Sequence, residues 1–193
     1  MLEYEKKVLI TENEYDAIVN TWCNGIKPKI QINYYFDTDD LYMNKKGITC
    51  RIRAKDGKYK TTVKNHNTVR NDGSMEIDLC EQNKLDTKFF DALGLCHQGE
   101  LVTERIVMYK DSFCEMVIDR NTYLGHTDFE IEVEYSEDCE QVADYLLMTV
   151  AKMLVNYTGM ECIDKFLKRV GKAKSKSKRF FGRKTTLKSS HKK

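Results

Sequence analysis

Residues 128–135 read Asp128-Phe129-Glu130-Ile131-Glu132-Val133-Glu134-Tyr135. Successive side chains of a β-strand point to opposite faces, so residues two apart share a face. That spacing puts Glu130, Glu132 and Glu134 on one side and Phe129, Ile131, Val133 and Tyr135 on the other. The apolar side needs a core. The acidic side stacks like charges, which repel each other along a strand face. An ordinary half-buried strand turns a mixed polar face to water, whereas this one is single-signed.

The alternation recurs along the chain. It predicts strands at 3–10, 31–37, 47–54, 58–65, 73–79, 100–110, 113–119 and 127–135. The first groups Glu3, Glu5 and Lys7 on one face, and the third groups Arg51 and Arg53. The fourth adds Lys60 and Lys64, the fifth Glu76 and Asp78, the sixth Arg105, and the seventh Glu115 and Asp119. Asp56-Gly57 is a hairpin signal and Lys110-Asp111-Ser112 a tight connection, so neighbours are expected to pair antiparallel. Helices are expected from the capping box Thr11-x-x-Glu14 to about Cys23, from Leu85 to Leu93, from Ser136 to about Asn156, and near 161–170.

Length and composition fit this reading. The chain has 193 residues, 41% hydrophobic and 32% charged, enough for one packed domain. No stretch suggests a membrane span or a secretory signal. The seven cysteines form no CxxC pair and the four histidines are scattered, which argues against a zinc site or a disulfide framework and for a cytoplasmic protein. Ten of the 32 basic residues lie beyond Gly171, where there is no acid; the remaining 22 face 30 acids over residues 1–170, a net of −8. We therefore expect one domain over residues 1–181 and a basic, flexible tail over 182–193.

Solvated charge stripes would explain each strand separately. Segregation of sign between strands instead suits a multiply charged ligand: acids gather divalent cations and bases gather anions, as in a metal–polyphosphate complex. Eight strands can close into a barrel without edges. With the charged faces inward, the lumen is a wet tunnel and the apolar faces need a helical jacket. The expected class is α+β, an eight-stranded antiparallel closed β-barrel with helices packed on the outside.

The same residues resemble a known family. Glu3-x-Glu5-x-Lys7 is similar to the ExExK signature of the CYTH superfamily, the triphosphate tunnel metalloenzymes. Tyr35-Phe36-Asp37-Thr38, Arg51-x-Arg53, Thr62-Val63-Lys64, and 119–125 followed by 128–134 resemble successive segments of that family, and Lys176-Ser177-Lys178-Arg179-Phe180 a basic segment that often ends it. The pattern runs in order over residues 3–180 and resembles the bacterial members of the kind called YjbK.

The resemblance implies a tunnel that binds a triphosphate with Mg2+ or Mn2+. It implies metal ligands at Glu3, Glu5, Glu130 and Glu132, with Glu134 by parity and Asp119 as ligand or close neighbour. Arg51 and Arg53 would clasp phosphate oxygens, and Lys7, Lys64, Arg105 and Lys176 would add positive charge. The catalytic set is then Glu3, Glu5, Arg51, Arg53, Glu130 and Glu132, with Glu76 orienting a basic residue and Lys60 at the mouth. Trp22 is expected in the core, Tyr35 in the barrel wall, and His66 in a loop. The expected activity is hydrolysis of a triphosphate, foremost inorganic tripolyphosphate. Class IV-type adenylyl cyclase, thiamine triphosphatase and a non-enzymatic polyphosphate- or nucleotide-binding module are the alternatives. The expected partner is a small-molecule triphosphate, with no membrane and no specific nucleic acid; a homodimer is left open.

Overall fold

The structure, a computed structural model, describes residues 2–67, 73–159 and 162–190, with only the backbone of Leu2 and Glu3. Eight strands form it: β1 (Leu2–Ile10), β2 (Lys29–Asp37), β3 (Ile48–Lys55), β4 (Lys58–Asn65), β5 (Gly73–Gln82), β6 (Cys96–Lys110), β7 (Cys114–Tyr123) and β8 (His126–Tyr135). They close in the order β1-β5-β4-β3-β2-β6-β7-β8, with every pair antiparallel. β8 is held between β1 and β7, with Glu132 opposite Lys7 on one side and Glu130 opposite Asp119 on the other. β6 and β7 run longer than their alternation alone suggested, and the helix expected from Ser136 opens as a 3-10 turn at Glu137–Cys139.

The apolar faces of β1, β6, β7 and β8 are covered from outside. Helix α1 (Glu12–Trp22) and helix α4 (Glu140–Thr158) lie over them, joined by α5 (Ile163–Leu167). Ile131 and Val133 of β8 pack in one cluster with Ile18, Leu147, Val150, Leu154 and Phe166, all fully or almost fully buried. The short α2 (Tyr42–Lys45), which the sequence reading did not anticipate, and α3 (Lys88–Ala92) follow β2 and β5. Phe90 of α3 stacks on Phe36 at 4.7 Å, covering the outer face of β2 and β3 beside Cys50.

The capping box is present: Glu14 N–H donates to Thr11 Oγ1 at 3.2 Å, and Thr11 N–H to Glu14 Oε2 at 2.8 Å. Glu14 also accepts from both Arg169 Nη atoms at 2.5 and 3.0 Å, and Gly171 N–H donates to Lys7 O at 2.9 Å. These bonds bring the chain after α5 back to the barrel mouth. Trp22 corrects the sequence reading: at the end of α1 it is 38% exposed rather than in the core.

The expected domain boundary at 181/182 falls inside a helix, α6 (Lys176–Ser190), and residues 191–193 lie outside the described ones. The segment is ordered as a helix because its apolar pair has somewhere to go. Phe180 and Phe181 are buried against Tyr35, Leu101 and Tyr123, whose side chains face the lumen. The five helices noted above, the four expected ones among them, lie outside the barrel, but α6 fills one end of the lumen. Gly99 makes room for it: its φ is +135°, and a Cβ there would stand 2.9 Å from Phe180 Cζ. Gly99 sits where the β2/β6 register shifts between Tyr35 and Phe36.

Candidate functional site

Inside the barrel is a cavity of about 220 Å³. Its lining includes Glu5, Lys7, Arg51, Arg53, Lys64, Glu76, Arg105, Glu132, Glu134 and Lys176. Most charged positions expected to converge therefore do, although they come from strands far apart in sequence. Glu3 lies in β1, but its side chain is outside the described ones. Lys60 pairs with Asp78 at 2.9 Å in an exposed groove that shares Arg53, Lys55 and Glu76 with the cavity.

The cationic wall is β3 and β4. Arg51 is buried and donates to Thr62 Oγ1 at 3.0 Å and to both oxygens of Glu76 at 2.7 and 2.9 Å. Lys64 lies 3.7 Å from the same carboxylate. Burial alone would raise the Glu76 pKa, but Arg51, Lys64 and Arg53 outweigh it and hold the group below the usual range. Arg53 donates to Asn33 Oδ1 at 3.0 Å and has no carboxylate within ion-pair distance among the described residues. Burial, and then the adjacent Arg51 guanidinium, push Arg53 down to about 10. It stays charged at neutral pH, a cation facing the channel with no anion of its own among the described residues.

Across the barrel, β1 and β8 carry Glu5, Glu132 and Glu134, which can offer carboxylate oxygens within 4.8 Å of one another. Lys7 stands beside them, 2.9 Å from Glu5 and 3.2 Å from Glu132. A second group, Asp119, Glu130 and Glu132, meets the same distance limit. It lies deeper, and neither Asp119 nor Glu130 borders the cavity. Lys176 Nζ lies 2.9 Å from Asp119, 2.5 Å from Glu130 and 2.9 Å from Glu132. Arg105 pairs with Asp119 and Glu132, each at 2.6 Å, and Arg179 donates twice to Glu130 at 2.9 Å. Burial would raise the Glu132 pKa; Lys176, Lys7 and Arg105 overcome it and hold the group well below the carboxylate range.

Sequence reasoning missed two groups at the site, Arg179 beside Glu130 and His66 on the cavity wall. Arg179 is nearly buried, bonded also to Asp128 at 2.9 Å. Its spacing of three from Lys176 puts both on one helix face, a signal missed because no helix was expected past residue 170. His66 is in the loop after β4 as expected, but it lines the cavity, with Nε2 3.0 Å from Thr49 Oγ1, which donates to Ser177 Oγ of α6 at 2.8 Å.

Burial, and then Lys64 and Lys178, push the His66 pKa from 6.5 down to about 4. The unfolded chain takes up this proton near 6.5, while the folded chain refuses it until about pH 4. Stability is therefore lost as pH falls through that window, roughly 2 kcal/mol between pH 7 and pH 5 from this residue. Urea unfolding at the two pH values is expected to show that loss in the native chain and less than half of it in His66→Gln. An equal loss in both would contradict it.

The geometry defines a class: a closed barrel whose lumen sets carboxylates against guanidinium and ammonium groups, shaped to take a polyanion with a cation. The CYTH domain family model matches residues 1–154, and the chain belongs to that family. It is 29% identical over 153 residues to the Bacillus subtilis (strain 168) protein named "Putative triphosphatase YjbK", covering 70% of this chain and 78% of that one. It is also similar to a crystal structure from Bacillus halodurans named as a "putative adenylate cyclase", with a TM-score of 0.61, 26% identity, and 77% of this chain and 89% of that chain covered. HpAC1 from Hippeastrum, described with a dominant triphosphatase activity, shares the fold at a TM-score of 0.57 and 17% identity over 79% of this chain and 87% of its own. All seven cysteines are free, and among the described residues no helix is long and apolar enough to cross a membrane.

Proposed function

We propose that this chain hydrolyses the terminal phosphoryl group of a triphosphate, foremost inorganic tripolyphosphate, with Mg2+ or Mn2+ in the barrel. The observation that carries the reading is Arg53: a guanidinium on the channel wall with no carboxylate partner among the described residues, beside Arg51 and across the barrel from Glu5, Glu132 and Glu134. An anion of several charges would complete that wall. The family membership and the name of the Bacillus subtilis relative support the same reading.

The donor set suits the metal. Glu5, Glu132 and Glu134 offer only carboxylate oxygen, the hard ligand that Mg2+ and Mn2+ prefer, with no thiol or imidazole in the group. A divalent cation there would neutralise phosphoryl oxygens and make a nearby water more acidic. The chain's own residues do the rest. Arg51 and Arg53 present planar N–H forks that match phosphate oxygens and fix the anion's orientation. Glu76 holds the Arg51 guanidinium from behind. Lys7 and Lys64 spread positive charge along the anion. Water attacks the terminal phosphorus, the bridging P–O bond breaks, and orthophosphate and pyrophosphate leave. Positioning and charge neutralisation supply the rate.

The test is phosphate release from tripolyphosphate by the folded chain with each metal. Release with at least one of them, abolished by a chelator, is the expected result; no release with either contradicts the proposal. With ATP as the probe, ADP and phosphate are expected; cyclic AMP and pyrophosphate would make the chain a cyclase instead.

A further inference from the structure

The barrel wall has a seam. β1 pairs with β5 only over Leu2–Tyr4, opposite Gly73–Met75. From Glu5 to Ile10 its strand partner among the described residues is β8 alone. On the other edge the chain after α5 takes over, where Gly171 N–H donates to Lys7 O at 2.9 Å. Between this segment, the seam and α4 lies a second cavity of about 730 Å³, larger than the one in the lumen. The two meet at Glu5, Lys7, His66 and Ser175, and the second extends outward to Met148 of α4.

Two kinds of surface line this second cavity. One is apolar: Leu147 and Met148 of α4 with Leu167 and Val170 from the end of α5 and beyond it. The other is cationic, because its acids are already used. Glu5 pairs with Lys7 at 2.9 Å and Asp144 with Lys6 at 2.6 Å. That leaves Lys172, Lys174 and Lys178, which pair with no carboxylate among the described residues. Ser74 gives the sharper signal. It is 2% exposed and borders the cavity, yet its Oγ has no hydrogen-bond partner among the described residues. A buried hydroxyl without a partner is unfavourable and rarely kept, so one on a cavity wall points to a bound group that completes it.

We propose that this cavity binds an organic phosphate, a phosphoryl head on an apolar body, at a site separate from the triphosphate in the lumen. The unpaired ammonium groups are donors that carry positive charge, and the Ser74 hydroxyl can donate beside them. Such a set suits a dianionic head rather than a cation or a neutral molecule. The apolar side takes the body, which inorganic phosphate lacks. The volume falls within the range of roughly 300–1,000 Å³ found for small-molecule sites. The inference stands apart from the hydrolysis reading, since Ser74, Met148 and Lys174 have no part in it.

The experiment titrates phenylphosphonate into the full chain by calorimetry, without metal; its P–C bond keeps the probe intact. Inorganic phosphate supplies the head alone and benzyl alcohol the body alone. Phenylphosphonate is expected to bind about tenfold tighter than either. Lys174→Glu and Met148→Asp are each expected to weaken it about fivefold, and Arg53→Met, on the lumen wall, to leave it unchanged. Ser74→Ala is expected to weaken the probe and to raise Tm without it, because the unpaired hydroxyl is removed. No saturable binding overturns the proposal, as does inorganic phosphate or benzyl alcohol binding as tightly as the probe. Binding lost in Arg53→Met and kept in Lys174→Glu puts the probe in the lumen and also overturns it, with the hydrolysis reading intact. If Met148→Asp does not fold, the exposed Lys174→Glu decides: native affinity in that chain overturns the proposal.

Discussion

Glu132→Gln is expected to cut tripolyphosphate hydrolysis by about 10²–10³-fold, the scale of losing one well-placed electrostatic group. Glu132 belongs to both carboxylate groups and touches Lys7, Arg105 and Lys176. Losing its charge weakens the outer metal position and leaves three buried cations competing for fewer acids. Such a loss inside a buried network also destabilises, on the order of 3 kcal/mol, so the rate must be measured below the unfolding temperature with circular dichroism as control. A folded variant within threefold of the native rate would remove Glu132 from the machinery.

Arg53→Met is expected to separate activity from stability. Substrate affinity should fall, with kcat/KM down about 10²-fold, because a guanidinium fork aimed at phosphate is lost. Stability should rise, because burial and the adjacent Arg51 disfavour this charge in the folded chain and no carboxylate among the described residues pairs with it. For a chain of this size each kcal/mol relieved lifts Tm by about 2–4 °C. A higher Tm with weaker catalysis is the mark of a cation kept for a ligand. A lower Tm with unchanged kinetics would make Arg53 a structural residue.

What the sequence disclosed and what it hid have different physical causes. β1, β3 and β8 were legible because a strand's period of two leaves no freedom: once Glu132 faces the lumen, so do Glu130 and Glu134. Parity gives a face but not a depth. Glu130 and Glu134 point the same way, yet Glu130 is sealed behind Lys176 and Arg179 while Glu134 borders the cavity. The resemblance supplied closure of the barrel, which charge patterning by itself allowed but did not require. α6 was illegible because its determinants are tertiary. Its Lys- and Ser-rich composition reads as solvated, and only Phe180 and Phe181 have a lumen end of Tyr35, Leu101 and Tyr123 to fill. Trp22 failed for the converse reason: a large apolar side chain at the last turn of α1 reaches past the core it was expected to join.

A crystal of the Glu132→Gln chain would already lack part of the site, so the direct measurement uses the native sequence: diffraction from crystals soaked briefly in tripolyphosphate and Mn2+ at low temperature, with anomalous scattering to find the metal. The account predicts phosphate oxygens on the Arg51 and Arg53 guanidinium groups and Mn2+ between the phosphate chain and Glu5, Glu132 and Glu134. Tripolyphosphate bound on the outer surface, with the lumen holding only water and its own ion pairs, would contradict it.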